Sequence, residues 1–349
     1  MTTPLYPWQE AAWLQFQQLR GRLPHAILFH GAAGIGKTAF AERVGQSLLC
    51  QSSAVDGQPC GVCASCCWFE QYGHPDYRRV RPEILEGGED EDDEGNAEAS
   101  KAADDKKSAK AAKTPSKEIK IDQIRALADF MNISTHRQGM RVIVLYPAEA
   151  LNTAAANALL KMLEEPPPST VFLLVTNSLD RLLPTILSRC RKFALSMPPH
   201  EQALKWLQEQ QVEDAAMWLA EQGGAPLAAL AQARSDNREA IDEFLRHLAR
   251  PTIEGALKIA DKLKKASIPD MVSWLQRWQF DMFSHKLSGT IRYYPGYRTE
   301  LAALAGRVEL NALSKALKNA NERRAIAEHP LSAKLFIEDM LLDYSSLFS

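Results

Sequence analysis

The chain has 349 residues, 46% of them hydrophobic, with a formal net charge of −2. That length suggests two or three domains with real cores, and the near-neutral balance excludes a basic nucleic-acid coat or an acidic mimic. No apolar run reaches the roughly 18–20 residues of a membrane span, and "MTTPLYPWQE" has neither the basic start nor the apolar core of a secretory signal, so a cytoplasmic location is expected.

In chain order, "HAILFHG" (25–31) is a short apolar run ending in glycine and predicts a buried strand. "KTAFAERVGQSLLC" (37–50) has helical spacing at Phe40, Val44, Leu48 and Leu49. "YRRVRP" (77–82) predicts a short strand. Apart from Pro115, residues 86–117 contain no apolar side chain larger than alanine; an acidic half precedes a Lys/Ala-rich half. Such a stretch cannot offset its ordering entropy by burial, so a disordered insertion within a domain is expected.

"IDQIRALADFM" (121–131) carries a helical stripe at Ile121, Ile124, Leu127, Ala128 and Met131. "RVIVLY" (141–146), "TVFLLVT" (170–176) and "RKFAL" (191–195) predict buried strands, and "NTAAANALLKMLEE" (152–165) a helix stopped by the prolines at 166–168. Strands of this kind between helices imply a mostly parallel sheet. Beyond "SMPPHE" (196–201) only helical spacing remains, broken at 223–226, 250–252 and 292–297. Trp206, Trp218, Trp274 and Trp278 in this region are expected as packing anchors rather than a ligand box.

Gly31-Ala32-Ala33-Gly34-Ile35-Gly36-Lys37-Thr38 matches G-x-x-x-x-G-K-[ST] between a predicted strand and helix. Its glycines would let backbone N–H groups wrap a β-phosphate. Lys37 would reach the β/γ oxygens, and the Thr38 hydroxyl would sit on Mg²⁺. Hydrolysis also needs an acid at a neighbouring strand tip to hold the metal, and a base to orient water. The strand that should supply them ends in Tyr146-Pro147; Glu149 follows, expected to face solvent.

Five of the six cysteines fall between residues 50 and 67. Cys50, Cys60, Cys63 and Cys66 supply four thiolates over a short span, which suits tetrahedral Zn²⁺ in a closed, structural site. By spacing alone, Cys67 could replace Cys66. In "LSRC" (187–190), Arg189 reads either as part of a local turn or as an arginine offered to a neighbour's nucleotide site, where it would stabilise phosphoryl-transfer charge.

"LPHAILFHGAAGIGKT", the cysteine group "CGVCASC", "GHPDY", "NALLKMLEEPP" and "LPTILSRC" together resemble the delta-prime subunits of the bacterial DNA polymerase III clamp loader, within the AAA+ clamp-loader family. The match spans roughly residues 5–195. The resemblance implies an α/β then all-α chain. A RecA-like AAA+ P-loop domain (1–195) would carry a zinc module (about 50–67) and the insertion (about 86–117). A helical lid (196–235) and a C-terminal helical collar (236–349) would follow.

The resemblance further implies a non-hydrolysing stator in a hetero-pentameric ring with gamma/tau ATPase subunits and delta. That ring would load the sliding clamp on primer–template DNA. The chain would then be no enzyme in isolation, but part of a DNA-directed DNA polymerase holoenzyme. Carried over, Arg189 becomes the trans-acting finger for a neighbouring gamma/tau site. Zinc falls to Cys50, Cys60, Cys63 and Cys66, with Cys67 spare. The family's hydrolysing members carry an Asp-Glu pair where this chain has Tyr146-Pro147, and a sensor arginine where it has Leu227. ATP or ADP binding by Gly31, Gly34, Gly36, Lys37 and Thr38 stays open, without hydrolysis. An active P-loop ATPase of the same kind of ring is the alternative. A zinc-dependent DNA-binding module is disfavoured by the lack of basic residues around Cys60–Cys67.

Overall fold

The computed structural model describes residues 5–86, 115–133, 135–136, 139–235, 237–327 and 332–348. The expected insertion therefore lies outside the described residues except at its two ends. The chain forms two compact units, Met1–Met197 and Pro198–Ser349.

The first unit is built on a five-stranded parallel sheet: β1 (Ala26–His30), β2 (Tyr77–Val80), β3 (Arg141–Leu145), β4 (Thr170–Thr176) and β5 (Arg191–Ala194), in the order β2-β3-β4-β1-β5. Its helices are α1 (Glu10–Leu19), α2 (Lys37–Leu49), α3 (Ala64–Glu70), α4 (Ile121–Asn132), α5 (Thr153–Glu164) and α6 (Pro184–Arg189). β3 and β4 are buried along their whole length. Their stretches Val142–Leu145 and Val171–Val175 are unbroken apolar runs because both faces of a parallel sheet are covered.

On one face Ala26, Leu28, Ile143, Leu145, Phe172 and Leu174 meet Ile124, Leu127, Leu159, Leu163 and Ile186 from α4, α5 and α6. Phe130, absent from the predicted α4 stripe, is buried there too. On the other face Phe29 meets Phe40 of α2 edge-on at 5.4 Å, and Phe40 meets Trp13 of α1 at 6.1 Å. A fully buried phenylalanine of this kind contributes about 3–5 kcal/mol.

All strands are parallel, so the carboxyl ends of β1, β3 and β4 converge on one edge of the sheet. Ligands bind at that edge in open α/β sheets. The register pairs His30 with Thr176. The loops leaving β1 and β4 therefore begin side by side.

The second unit is all helix among the described residues: α7 (His200–Glu209), α8 (Ala215–Glu221), α9 (Pro226–Ala233), α10 (Arg238–Ala249), α11 (Ile253–Lys262), α12 (Ile268–Ser288), α13 (Arg298–Arg307), α14 (Leu310–Ile326) and α15 (Ala333–Ser346). One continuous core runs from Ala203 to Tyr344. Trp218, Trp274 and Trp278 are buried in it, and Trp206 packs against it. Trp278 Nε1 donates to the Tyr344 hydroxyl (2.7 Å), which donates in turn to the Leu248 carbonyl (2.9 Å). That satisfies both polar tips inside an apolar core. The fully buried carboxylate of Asp281 accepts from the backbone N–H groups of Arg292, Tyr293 and Tyr294 at 2.8–3.1 Å and fixes the turn after α12. No described helix is long and apolar enough to cross a membrane.

Candidate functional site

The glycine loop connects β1 to α2 as the motif requires. Gly31, Gly34 and Gly36 have φ of 152°, 75° and 86°, which L side chains rarely adopt. Gly36 is also covered: a Cβ there would lie 2.7 Å from the Tyr6 ring and 2.8 Å from Gln9 Nε2. Trp8 Nε1 donates to the Ile35 carbonyl (3.0 Å), and Gln9 Nε2 donates to the carbonyls of Ile35 (3.2 Å) and Gly36 (2.9 Å). The segment before α1 thus pins the cradle from outside. The left-handed glycine turn and the N-terminus of α2 behind it fit a phosphate.

Lys37 is 4% exposed. Its ammonium donates to the Ala32 carbonyl (2.5 Å) and to Asn177 Oδ1 (2.7 Å) just past β4. Burial pushes its pKa down to about 8, against the upward pull of the Glu149 carboxylate. Thr38 is half-buried on the first turn of α2.

Tyr146 and Pro147 follow β3, and neither offers a carboxylate. Glu149 does not face solvent as its sequence position suggested. It is half-buried, and its Oε1 accepts from both the backbone and side-chain N–H of Asn177 at 3.0 Å each. The short 3-10 turn Ala148–Ala150 bends the chain back over the sheet edge and brings Glu149 against the β4 tip. Sequence periodicity carries no sign of that turn, and neither Asn177 nor Glu149 stands in a motif.

The four predicted zinc ligands come together. The sulfurs of Cys50, Cys60, Cys63 and Cys66 all lie within 4.8 Å of one another. Backbone donors point at them, among them Cys60 N to Cys50 Sγ (3.3 Å), Cys63 N to Cys60 Sγ (3.3 Å) and Cys66 N to Cys63 Sγ (3.4 Å). Such N–H···S contacts favour thiolates over thiols. Burial opposes ionisation of Cys63, yet donors from Gln51 and Cys66 bring its thiol down to about 6; burial pushes Cys66 well up. Four sulfurs with no open position fit a structural Zn²⁺ and leave no site for catalysis.

Cys67 points away, toward the Val62 carbonyl (3.8 Å). The module is tied to α1: Trp13 Nε1 donates to the Asp56 carbonyl (3.0 Å), and Arg20 donates to the carbonyls of Ser47 (2.9 Å) and Gly57 (3.3 Å). His74 of "GHPDY" sits beside Ser65 Oγ of α3 (3.3 Å) and accepts from Asp76 N (3.0 Å), which docks α3 against the start of β2.

Arg189 is the last residue of α6, its side chain 33% exposed. The guanidinium donates to the Thr185 carbonyl (2.9 Å) and Ser188 Oγ (3.3 Å) and forms an ion pair with Glu164 at the end of α5. It lies apart from the chain's own cradle in sequence and donates to no group of it. Leu227, in the first turn of α9, offers no charge.

The family described as DNA polymerase III, delta subunit, matches residues 8–199. The DNA polymerase III subunit delta' of Pseudomonas aeruginosa is 35% identical over 293 residues, covering 81% of this chain and 79% of the relative. This chain belongs to the DNA polymerase III delta-prime subunit family. Its role is that of a clamp-loader subunit, a component of DNA polymerase III. The subunit delta' of Escherichia coli is 29% identical over 349 residues, covering 97% of this chain and 94% of that one. The subunit tau of the same organism is 31% identical over 182 residues, covering 52% of this chain and 23% of tau. The likeness to tau thus spans a stretch about as long as the sheet-bearing unit, and the likeness to delta' is broader.

Proposed function

We propose that this chain is the non-hydrolysing, stator member of a clamp-loader ring, placed beside a gamma/tau ATPase subunit and sharing the ring with delta. The ring opens the sliding clamp and sets it on primer–template DNA. Arg189 enters the neighbouring subunit's ATP site, where a positive charge stabilises the charge spread over the transferring phosphoryl group. One observation carries this reading: a half-exposed arginine is held in place at the end of α6, while the β3 tip of the same chain has no carboxylate where Mg²⁺ would be held.

Within this reading the second unit divides into a lid (196–235) and a collar (236–349). The Cys50/Cys60/Cys63/Cys66 quartet holds one structural zinc that supplies folding energy and no chemistry. ATP or ADP held at Gly31, Gly34, Gly36, Lys37 and Thr38 is not turned over. The chain works in the cytoplasm, where a replicative polymerase acts.

The test is the ATP turnover of a ring reconstituted with Arg189→Ala. Turnover falls while the variant melts and assembles like the wild type. Unchanged turnover removes the finger assignment.

A second reading, an active ATPase, draws on the intact cradle and on Glu149 beside the β4 tip. It requires that the isolated chain hydrolyse ATP with Mg²⁺ and that Lys37→Ala abolish that activity.

A further inference from the structure

The glycine cradle is complete, yet the groups that would receive phosphate are engaged with the protein itself. A lysine ammonium has three donors. Two of those on Lys37 are taken, by the Ala32 carbonyl at 2.5 Å and by Asn177 Oδ1 at 2.7 Å. Asn177 is not free to turn away. Its backbone N–H and its side-chain N–H both end on Glu149 Oε1, so the amide oxygen is left facing Lys37. The second oxygen of Glu149 is buried and has no hydrogen-bond partner among the described residues. Its charge is therefore spent on no other donor.

We propose that Glu149, acting through Asn177, is the positioning residue that keeps the cradle's affinity for nucleotide phosphate low, by holding Lys37 on the protein's own oxygens. This rests on the reading of residues 31–38 as a phosphate cradle. An incoming β-phosphate must take Lys37 from Ala32 and Asn177, and it brings its charge toward a carboxylate. The same contacts tie the β1, β3 and β4 loops together. The lysine thus cross-links the strand tips when no phosphate is present, which is a reason for a non-hydrolysing chain to retain it. The downward push of burial on Lys37, partly offset by Glu149, agrees with that arrangement.

The test is calorimetric titration of the full-length chain with Mg·ADP and, separately, inorganic pyrophosphate at pH 7. Glu149→Gln keeps an oxygen for Asn177 and removes the charge; Glu149→Ala removes both. Affinity rises severalfold in the first and about tenfold in the second, as loss of a charged hydrogen-bond partner implies. Adding Lys37→Ala to either variant abolishes the gain, which a merely structural disturbance would not do. Should Glu149→Ala fail to fold, the Gln variant carries the comparison. Equal affinity in wild type and variants removes Glu149's role and leaves the cradle reading intact. No binding to any of them removes the cradle reading, and the proposal with it.

Discussion

Arg189 and Glu164 form an ion pair between the ends of α6 and α5, so the "SRC" and "LEEPP" stretches meet through one guanidinium and one carboxylate. The Thr185 carbonyl holds a second edge of the guanidinium. Both partners are substantially solvent-accessible, and such a pair adds little stability, about 0–1 kcal/mol. Its effect is on direction: a long side chain with many rotamers is held in one.

Loss of Glu164 should therefore change turnover without changing the fold. In a reconstituted ring, Glu164→Gln lowers ATP turnover by about tenfold and Arg189→Ala by about 10³, the scale of an arginine finger. Urea midpoints of both variants stay with the wild type. A Glu164→Gln ring as fast as the wild type would mean that the ion pair has no part in orienting Arg189.

Metal analysis of the purified chain should return one zinc. Cys60→Ser loses it, and Cys67→Ser keeps it. Removing the ion leaves residues 50–66 without their cross-link and lowers the melting temperature of the first unit by roughly 5–10 °C, on the order of 3 kcal/mol. Equal zinc loss in the Cys67 variant would show that the ligand set is wrong.

The second unit should lose stability as pH rises from about 4.5 to about 7. Glu221 at the end of α8 is 5% exposed, and burial pushes its carboxyl up to about 7 from an ordinary 4.5. Asp242 adds to that push, and Arg238 and Arg277 oppose it. A carboxyl with a raised folded-state pKa contributes its stability fully below the unfolded value. That contribution is lost as pH rises through the folded one, here between about 4.5 and 7. Glu221→Gln flattens the profile and is the more stable protein at pH 8, by at most about 3 kcal/mol. Urea titrations at pH 5 and pH 8 check both claims; parallel profiles for the two proteins would contradict the assignment.

Asp281→Ala should be among the costlier single changes in the second unit. It leaves the N–H groups of Arg292, Tyr293 and the buried Tyr294 without their acceptor, a loss of roughly 3–5 kcal/mol. A drop below about 1 kcal/mol in denaturant unfolding would mean that the turn finds other acceptors.

The five strands, the helices α2, α4 and α5 and the cysteine cluster were legible in the sequence for physical reasons. Buried parallel strands such as β4 must be apolar along their middle, and α2 must present Phe40 and Val44 to the sheet. The cysteine spacing marked the cluster but left Cys66 and Cys67 open; the family resemblance chose Cys66, and it is the Cys66 sulfur that joins the other three. Phe130 was missed because α4 buries it one step beyond the predicted stripe, where it stacks under Arg78 and Arg141. Glu149, Asn177 and Glu164 were not legible in their roles. Each acts across a junction of elements far apart in the chain, and the partner is set by strand order and by a turn's path rather than by local pattern. Asn177 lies 140 residues from Lys37 and meets it because β4 lies beside β1.

The helix α2 starts just after Gly36, which lies under Gln9 and the Tyr6 ring, and runs into Cys50, whose following loop is held by Trp13 and Arg20. Mechanically it is a beam clamped at both ends by one continuous stretch, residues 6–20. A beam so held transmits load instead of bending under it. In the proposed ring, the strokes of the hydrolysing neighbours would then go into moving their own lids and the clamp, with this chain as the fixed jaw. The cysteine module would serve as the anchor bolt at the far end.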